Sequence, residues 1–375
     1  MRASIFLLVA WAFAGSQPVH AQVERLPVYL QNTLKTIGPD FQKDIRKNIP
    51  LTIKAFQPLL HDAPKDGVTV IRNIAYGTDP KQVLDVYQSS PQRNVPVVIF
   101  IHGGAYVRGD KDRGEIYGNV TTWFARQGML GINADYRLAP AAKWPSAAED
   151  VRSIVSWAKT NAVKYGGDPS KIFLIGHSAG ATHVAAYIFD KSLQPREGAG
   201  VAGAVLISGR YRLEYKPQDP NARNMQAYFG NDPSQYANRS AITHINDGAK
   251  APVFLVVTEY DNPGLDVSGA ELFAALCKRD KACPRFTRLQ WHNHLSEVVS
   301  FNTRDEKLGR EILDFIIAID SDCSVGVLCN SLSEKAGSSF VPANATPTDL
   351  NRPRGANRGC ETGGCLNADQ SHVWK

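Results

Sequence analysis

The chain has 375 residues, 43% of them hydrophobic and 21% charged, with a formal net charge of +6. This is an ordinary globular composition, long enough to bury a substantial core. The positive balance is modest and is not gathered into basic blocks with interleaved aromatics, so nucleic acid is not an expected partner.

Taken in chain order, Arg2 is followed by an apolar run from Ile5 to Ala14, then Gly15, Pro18 and Val19-His20-Ala21. A basic start, an apolar core of about ten residues and small residues before a cut are the three parts of a secretory signal. Residues 1–21 are therefore expected to be removed after Ala21, leaving a secreted or periplasmic protein. The run falls short of the roughly 20 apolar residues that span a bilayer, so no stable membrane span is expected after cleavage. The cysteines fall as Cys277/Cys283, Cys323/Cys329 and Cys360/Cys365, three sequence-local pairs that suit disulfides in an oxidising compartment. Their spacing is not that of a metal site, although six cysteines leave the connectivity open.

Residues 22–66 carry apolar positions at helical spacing, among them Leu30, Leu34 and Ile37, then Ile45, Ile49, Ile53 and Phe56. One or two amphipathic helices are expected, cut into short pieces by Pro27, Pro39, Pro50 and Pro58, and either forming part of a lid or covering core. Residues 67–320 then read as one α/β domain. An opening hairpin, 68–71 and 83–87, turns at Gly77-Thr78-Asp79-Pro80. Strands follow at 95–101, 129–135, 172–175, 201–208, 252–258 and 286–291, with helices at about 114–127, 146–164, 179–190, 267–279 and 304–319. Strand-helix alternation of this kind means a mainly parallel central sheet with helices on both faces. Residues 209–249 lack a strand pattern and are expected to form a small cap, with a short helix near 225–229. Beyond 320 the chain becomes Ser-, Gly-, Asn- and Pro-rich, and 321–375 is expected to be a cysteine-containing, poorly ordered tail.

The chemistry gathers where strands end. Gly176-His177-Ser178-Ala179-Gly180 joins the strand 172–175 to a helix, and a serine at such a corner is exposed above the sheet edge. The same serine also suits a plain N-cap. After the strand 95–101 comes His102-Gly103-Gly104-Ala105-Tyr106, whose glycines leave backbone N–H groups free of side chains. Gly103, Gly104 and Ala179 are the expected donors to an oxyanion. Asp261 closes the strand 252–258 and His294 follows the strand 286–291. The order Ser178, Asp261, His294 suits a serine activated by an imidazole that a carboxylate orients. Asp266, the rival acid, is explained by capping the next helix, and Glu149 and Asp150 by a helix start. His177 and His183 beside the corner are expected to pack or support it, and Arg137 to hold loops by ion pairing.

These stretches, with Asp135-Tyr136-Arg137-Leu138-Ala139-Pro140 and Trp144-Pro145-Ser146-Ala147-Ala148-Glu149-Asp150-Val151, resemble the α/β-hydrolase superfamily. Within it the likeness is to the carboxylesterase branch: hormone-sensitive-lipase-like, kynurenine-formamidase-like and feruloyl-esterase-like hydrolases. The resemblance covers about residues 70–318 and implies Ser178 as nucleophile, Asp261 as acid and His294 as base. It aligns His294, where spacing alone leaves His292 open. Two departures stand out: Ala105 replaces a third glycine and His177 an aspartate common in the hormone-sensitive-lipase-like group. The implied activity is hydrolysis of a small-molecule carboxylic ester without metal or organic cofactor. An amidase or formamidase using the same triad, and a non-catalytic binding domain on the same fold, are the alternatives.

Overall fold

The computed structural model describes residues 26–335 except 42, 90–92, 114–115 and 248–249, with side chains described as far as 321. The expected signal, Cys360/Cys365 and the side chains of Cys323/Cys329 lie outside the described residues. The chain divides into two units, Met1–Val325 and Gly326–Lys375, and the fold below is that of the first.

Helices α1 (Val28–Phe41) and α2 (Ile45–His61) come first, followed by the antiparallel hairpin β1 (Val68–Ala75) and β2 (Val83–Ser89). The order continues β3 (Val95–Ile101), α3 (Ile116–Arg126), β4 (Leu130–Ala134), α4 (Ser146–Asn161), β5 (Gly167–His177), α5 (Ala179–Phe189) and β6 (Gly203–Ile207). Then come α6 (Ala222–Phe229), β7 (Val253–Tyr260), α7 (Leu265–Asp280), β8 (Arg285–Asn293), α8 (Ser296–Val299) and α9 (Lys307–Lys335). The eight strands form one sheet in the order β1-β2-β4-β3-β5-β6-β7-β8, parallel from β4 to β8.

Strand β3 shows why helices cover both faces. Val97, Ile99 and Ile101 point into one apolar cluster and Val98 and Phe100 into the other, because successive side chains alternate across a strand. Ile172 and Leu174 against Phe173 and Ile175 repeat the division on β5. Ile154 of α4, Val184 of α5 and Leu272 of α7 complete the first cluster, while Val120 of α3 and Ile312 of α9 complete the second. A strand buried on both sides must be a continuous apolar run, as Val95-Pro96-Val97-Val98-Ile99-Phe100-Ile101 is.

Two expectations are corrected. The prolines do not cut the N-terminal segment into pieces: Pro39 lies inside α1, and Pro50 and Pro58 inside α2. An interior proline costs a helix about 3 kcal/mol, whereas Leu30, Leu34, Phe41 and Phe56 are completely buried and contribute about 1.5–3 kcal/mol each, so burial decides. The last helix extends past the expected end at 319 to Lys335, through a stretch without proline. One disulfide, Cys277–Cys283, closes the end of α7.

The segment 209–247 packs on the first cluster. Its Tyr211, Met225, Tyr228 and Phe229 are buried in the first cluster, the Tyr228 hydroxyl accepts from Ala147 N–H at 3.1 Å, and Tyr236 donates to Gly230 carbonyl at 2.9 Å. These aromatics hold the segment down.

Candidate active site

β5 delivers Ser178 to the carboxyl edge of the sheet, where the chain turns at once into α5. The turn requires φ +56° at Ser178, left-handed for a residue with a side chain, and such strain costs about 1–3 kcal/mol. It is held in place by the Ser178 N–H, which donates to Ile207 carbonyl at 2.9 Å. Gly180 permits the sharp exit: a Cβ there would lie 2.1 Å from Ile101 carbonyl oxygen. The Ser178 hydroxyl does not cap α5. It faces His294 Nε2 at 2.9 Å instead.

His294 Nδ1 lies 2.8 Å from Asp261 Oδ1, completing an unbroken line from hydroxyl to carboxylate. Asp261 is fully buried and its charge is well solvated by the protein: Asn262 N–H donates to Oδ1 at 2.8 Å, Ser208 Oγ to Oδ2 at 2.6 Å and Thr258 N–H to Oδ2 at 3.3 Å. His292, which spacing left open, points elsewhere, with Nδ1 3.0 Å from Ser296 Oγ and Nε2 3.1 Å from Asp305. Asp266 is likewise away from the site, its Oδ1 accepting from Val267 N–H; because α7 begins at Leu265, it sits in the first turn and is not the N-cap, which is Gly264.

Gly104 and Ala179 line a cleft of about 70 Å³ beside Ser178. Gly104 has φ +149°, and a Cβ there would overlap Arg108 carbonyl oxygen at 1.7 Å. Gly103 lies next to it, outside the lining of the cleft. Its backbone presses on the serine, since an added Cβ would lie 2.9 Å from Ser178 Cβ. From α2, Ile45 and Ile49 close the other side of the cleft, and Thr52 accepts from the Asn293 side chain at 2.9 Å.

The second layer explains the remaining expectations. Arg137 clamps Asp150 through its backbone N–H at 2.8 Å and its guanidinium at 2.7 Å, so Asp150 is an ion-pair partner of the loop 135–145 as well as a helix-start carboxylate. His183 is buried among the rings of Tyr106, Tyr136 and Tyr228, and burial pushes its imidazole down to about 3. His177 is buried too, and burial followed by the neighbouring His294 holds it well below the usual histidine range. A neutral His177 donates from Nε2 to His294 carbonyl at 2.9 Å, fixing the loop that carries His294.

Sequence reasoning did not find Ser208 or Glu297. Glu297, one turn past His294, is fully buried, with Oε2 2.9 Å from Ser208 Oγ and Oε1 3.2 Å from His177 Nε2. Burial, then the charge of Asp261, raise its carboxyl well above the usual range. The donor atoms of His177, His294 and Glu297 fall within 4.8 Å of one another, a spacing open to a metal ion. Both ring nitrogens of His294 are already committed, to Asp261 and to Ser178.

The family model BD-FAE matches residues 84–191, the part from β2 through the serine corner. Solved structures share the fold. Esterase B from Lactobacillus rhamnosis superposes with a TM-score of 0.62 over 75% of this chain and 97% of its own, at 18% identity. An esterase from Pyrobaculum calidifontis gives 0.59 over 80% and 99%, at 22% identity. The chain has the α/β-hydrolase fold. Among sequence relatives of this α/β hydrolase, Esterase LipC of Mycobacterium tuberculosis is 33% identical over 205 residues, half of this chain and 49% of LipC. A probable isoprenylcysteine alpha-carbonyl methylesterase of Oryza sativa is 25% identical over 274 residues, 68% of this chain and 65% of its own. The chain thus spans between half and two thirds of these relatives. No helix of the described residues is long and apolar enough to cross a membrane.

Proposed function

We propose that this α/β hydrolase cleaves small carboxylic esters through an acyl-enzyme formed on Ser178. The observation that carries the reading is the line Ser178 Oγ, His294 Nε2, His294 Nδ1, Asp261 Oδ1, with gaps of 2.9 and 2.8 Å. His294 takes the serine proton as Oγ attacks the ester carbonyl, and Asp261 accepts from Nδ1–H and stabilises the imidazolium. The oxyanion of the tetrahedral intermediate is held by backbone N–H groups of Gly103, Gly104 and Ala179. Losing one such donor costs about 10²–10³ in kcat. The alcohol leaves with the proton returned by His294, and water, activated by the same imidazole, then frees the acid. The esterase names of the relatives support the reaction class.

The cleft is narrow, about 70 Å³, and walled by Ile45 and Ile49 of α2, which favours a short acyl group. We further read the protein as exported, supported by the residues before Gln22 and by the Cys277–Cys283 bridge. N-terminal sequencing of mature protein beginning at Gln22 tests that point. The function itself is tested by labelling with an alkyl phosphonate and by turnover of p-nitrophenyl acetate against the matching anilide. Modification at Ser178 and ester turnover that vanishes in Ser178→Ala are expected, and undiminished turnover in that variant refutes the reading.

A further inference from the structure

The wall of the cleft beside Ser178 carries three arginines, Arg108, Arg113 and Arg210, and no aspartate or glutamate among the described residues. Arg210 is neutralised by Asp219 at 2.7 Å. Arg108 and Arg113 have no carboxylate within ion-pair distance among the described residues, and Arg113 stands near Tyr117, His177 and Arg108. Arg46 from α2 adds a third unpaired charge nearby, and Arg108 is held below its usual range first by partial burial and then by the charges of Arg113 and Arg46. Folding has thus brought like charges together beside Ser178.

The backbone at Arg108 is anchored by hydrogen bonds. Val107 and Arg108 N–H both donate to Gly104 carbonyl, at 3.3 and 3.2 Å, so Arg108 is fixed relative to an oxyanion donor. Two residues before Arg113, Lys111 N–H donates to Asp135 at 2.6 Å and its ammonium is buried against Asp85 at 3.1 Å. An arginine fork on a fixed backbone suits a carboxylate, which it meets with paired N–H donors.

Building on the ester-hydrolase reading, we propose that Arg108 and Arg113 form an anion-recognition site and that the substrate is an ester carrying a free acidic group, in the simplest case a carboxylate. The acid seats on the two guanidiniums while the ester carbonyl reaches Ser178, and the like-charge repulsion of the free protein is relieved on binding.

The test compares 4-acetoxybenzoate with its methyl ester, and mono-4-nitrophenyl succinate with its methyl ester, placing the charge on the alcohol or the acyl side. A preference of about tenfold or more in kcat/KM for one charged member is expected, as for a charge-assisted hydrogen bond. It should collapse in Arg108→Gln/Arg113→Gln, persist in Arg108→Lys/Arg113→Lys and shrink at high salt. Reading a ratio within each protein cancels any general loss of activity. Equal turnover of charged and neutral esters, or a preference unchanged in the glutamine variant, overturns the proposal while leaving the hydrolase intact. If no ester is turned over, the hydrolase reading falls, and calorimetry of 4-hydroxybenzoate and of succinate on the Ser178→Ala protein decides this one. Binding that the two glutamines abolish sustains it, and no binding of either acid ends it.

Discussion

Asp261 and Glu297 are joined through one hydroxyl: Ser208 Oγ lies 2.6 Å from Asp261 Oδ2 and 2.9 Å from Glu297 Oε2. A serine has a single proton to give. It donates that proton to the closer Asp261, and the neutral Glu297 donates its own proton to Ser208. The raised Glu297 carboxyl agrees with this direction. The arrangement keeps one negative charge, and only one, behind His294.

Glu297→Gln should therefore keep most of the activity, within about threefold, since the side chain already acts as a neutral donor. Its effect lies in stability. Because the folded-state carboxyl is raised, the unfolded chain releases this proton first as pH climbs above about 4.5, and native stability falls by up to about 1.4 kcal/mol per pH unit until the folded group ionises. Thermal melts from about pH 5 to about pH 8 should show a shallower decline in the variant. A decline as steep as the parent's would mean that Glu297 is ionised when folded.

His183 carries the opposite sign. Its folded value near 3 lies below the unfolded one, so its contribution is complete above about pH 6.5 and is lost as pH falls toward 3. His183→Leu, which leaves an apolar side chain among Tyr106, Tyr136 and Tyr228, should flatten the acid limb of the stability curve by about 1.4 kcal/mol per pH unit. An unaltered acid limb in urea melts would show that the ring is protonated in the folded protein.

The two histidines of β8 and its exit separate cleanly. His294→Ala should lower the acylation rate by about 10⁴ or more. His292→Ala removes the contact with Asp305 at 3.1 Å and should act on stability, leaving acylation within about tenfold. Pre-steady-state bursts of p-nitrophenol measure both, and a larger acylation loss in the His292 variant would reverse the assignment.

Much of this was legible in the sequence, for identifiable reasons. Strands β3 to β7 announce themselves because burial on both faces demands unbroken apolar runs, and the serine corner announces itself because only glycines fit at 176 and 180. Ser208 and Glu297 were not legible: each is a common residue whose meaning comes from β6 and α8 meeting behind Asp261, a contact across 89 residues. Arg108 and Arg113 carry no sequence signal either, because whether a carboxylate stands beside them is a property of three-dimensional neighbours. The prolines of α1 and α2 misled because local breaking tendency was weighed without the burial that offsets it.

Lys111 tests whether the oxyanion loop is held from below. Its ammonium, 2% exposed, lies 3.1 Å from the buried Asp85, which Arg72 also meets at 3.1 Å. Lys111→Met leaves Asp85 under-compensated and should destabilise the protein by about 3 kcal/mol, with Asp85→Asn added to it recovering part of the loss. Urea unfolding of the single and double variants gives the coupling. Simple additivity would show that the pair contributes nothing to holding the loop.

The cleft wall offers a last test, on substrate size. Ile45 and Ile49 of α2 stand on the wall of the cleft beside Ser178, so an acetyl group is expected to fit and an octanoyl chain to press against them. Overfilling a packed site costs about 1–3 kcal/mol, so kcat/KM should fall about tenfold to a hundredfold from p-nitrophenyl acetate to the octanoate. Ile49→Ala removes three carbons from the obstructing side and should restore the longer ester preferentially, with little gain for the acetate. If instead octanoate is cleaved as fast as acetate by the parent protein, α2 moves aside on binding, and the boundary of the acyl site lies beyond these two isoleucines.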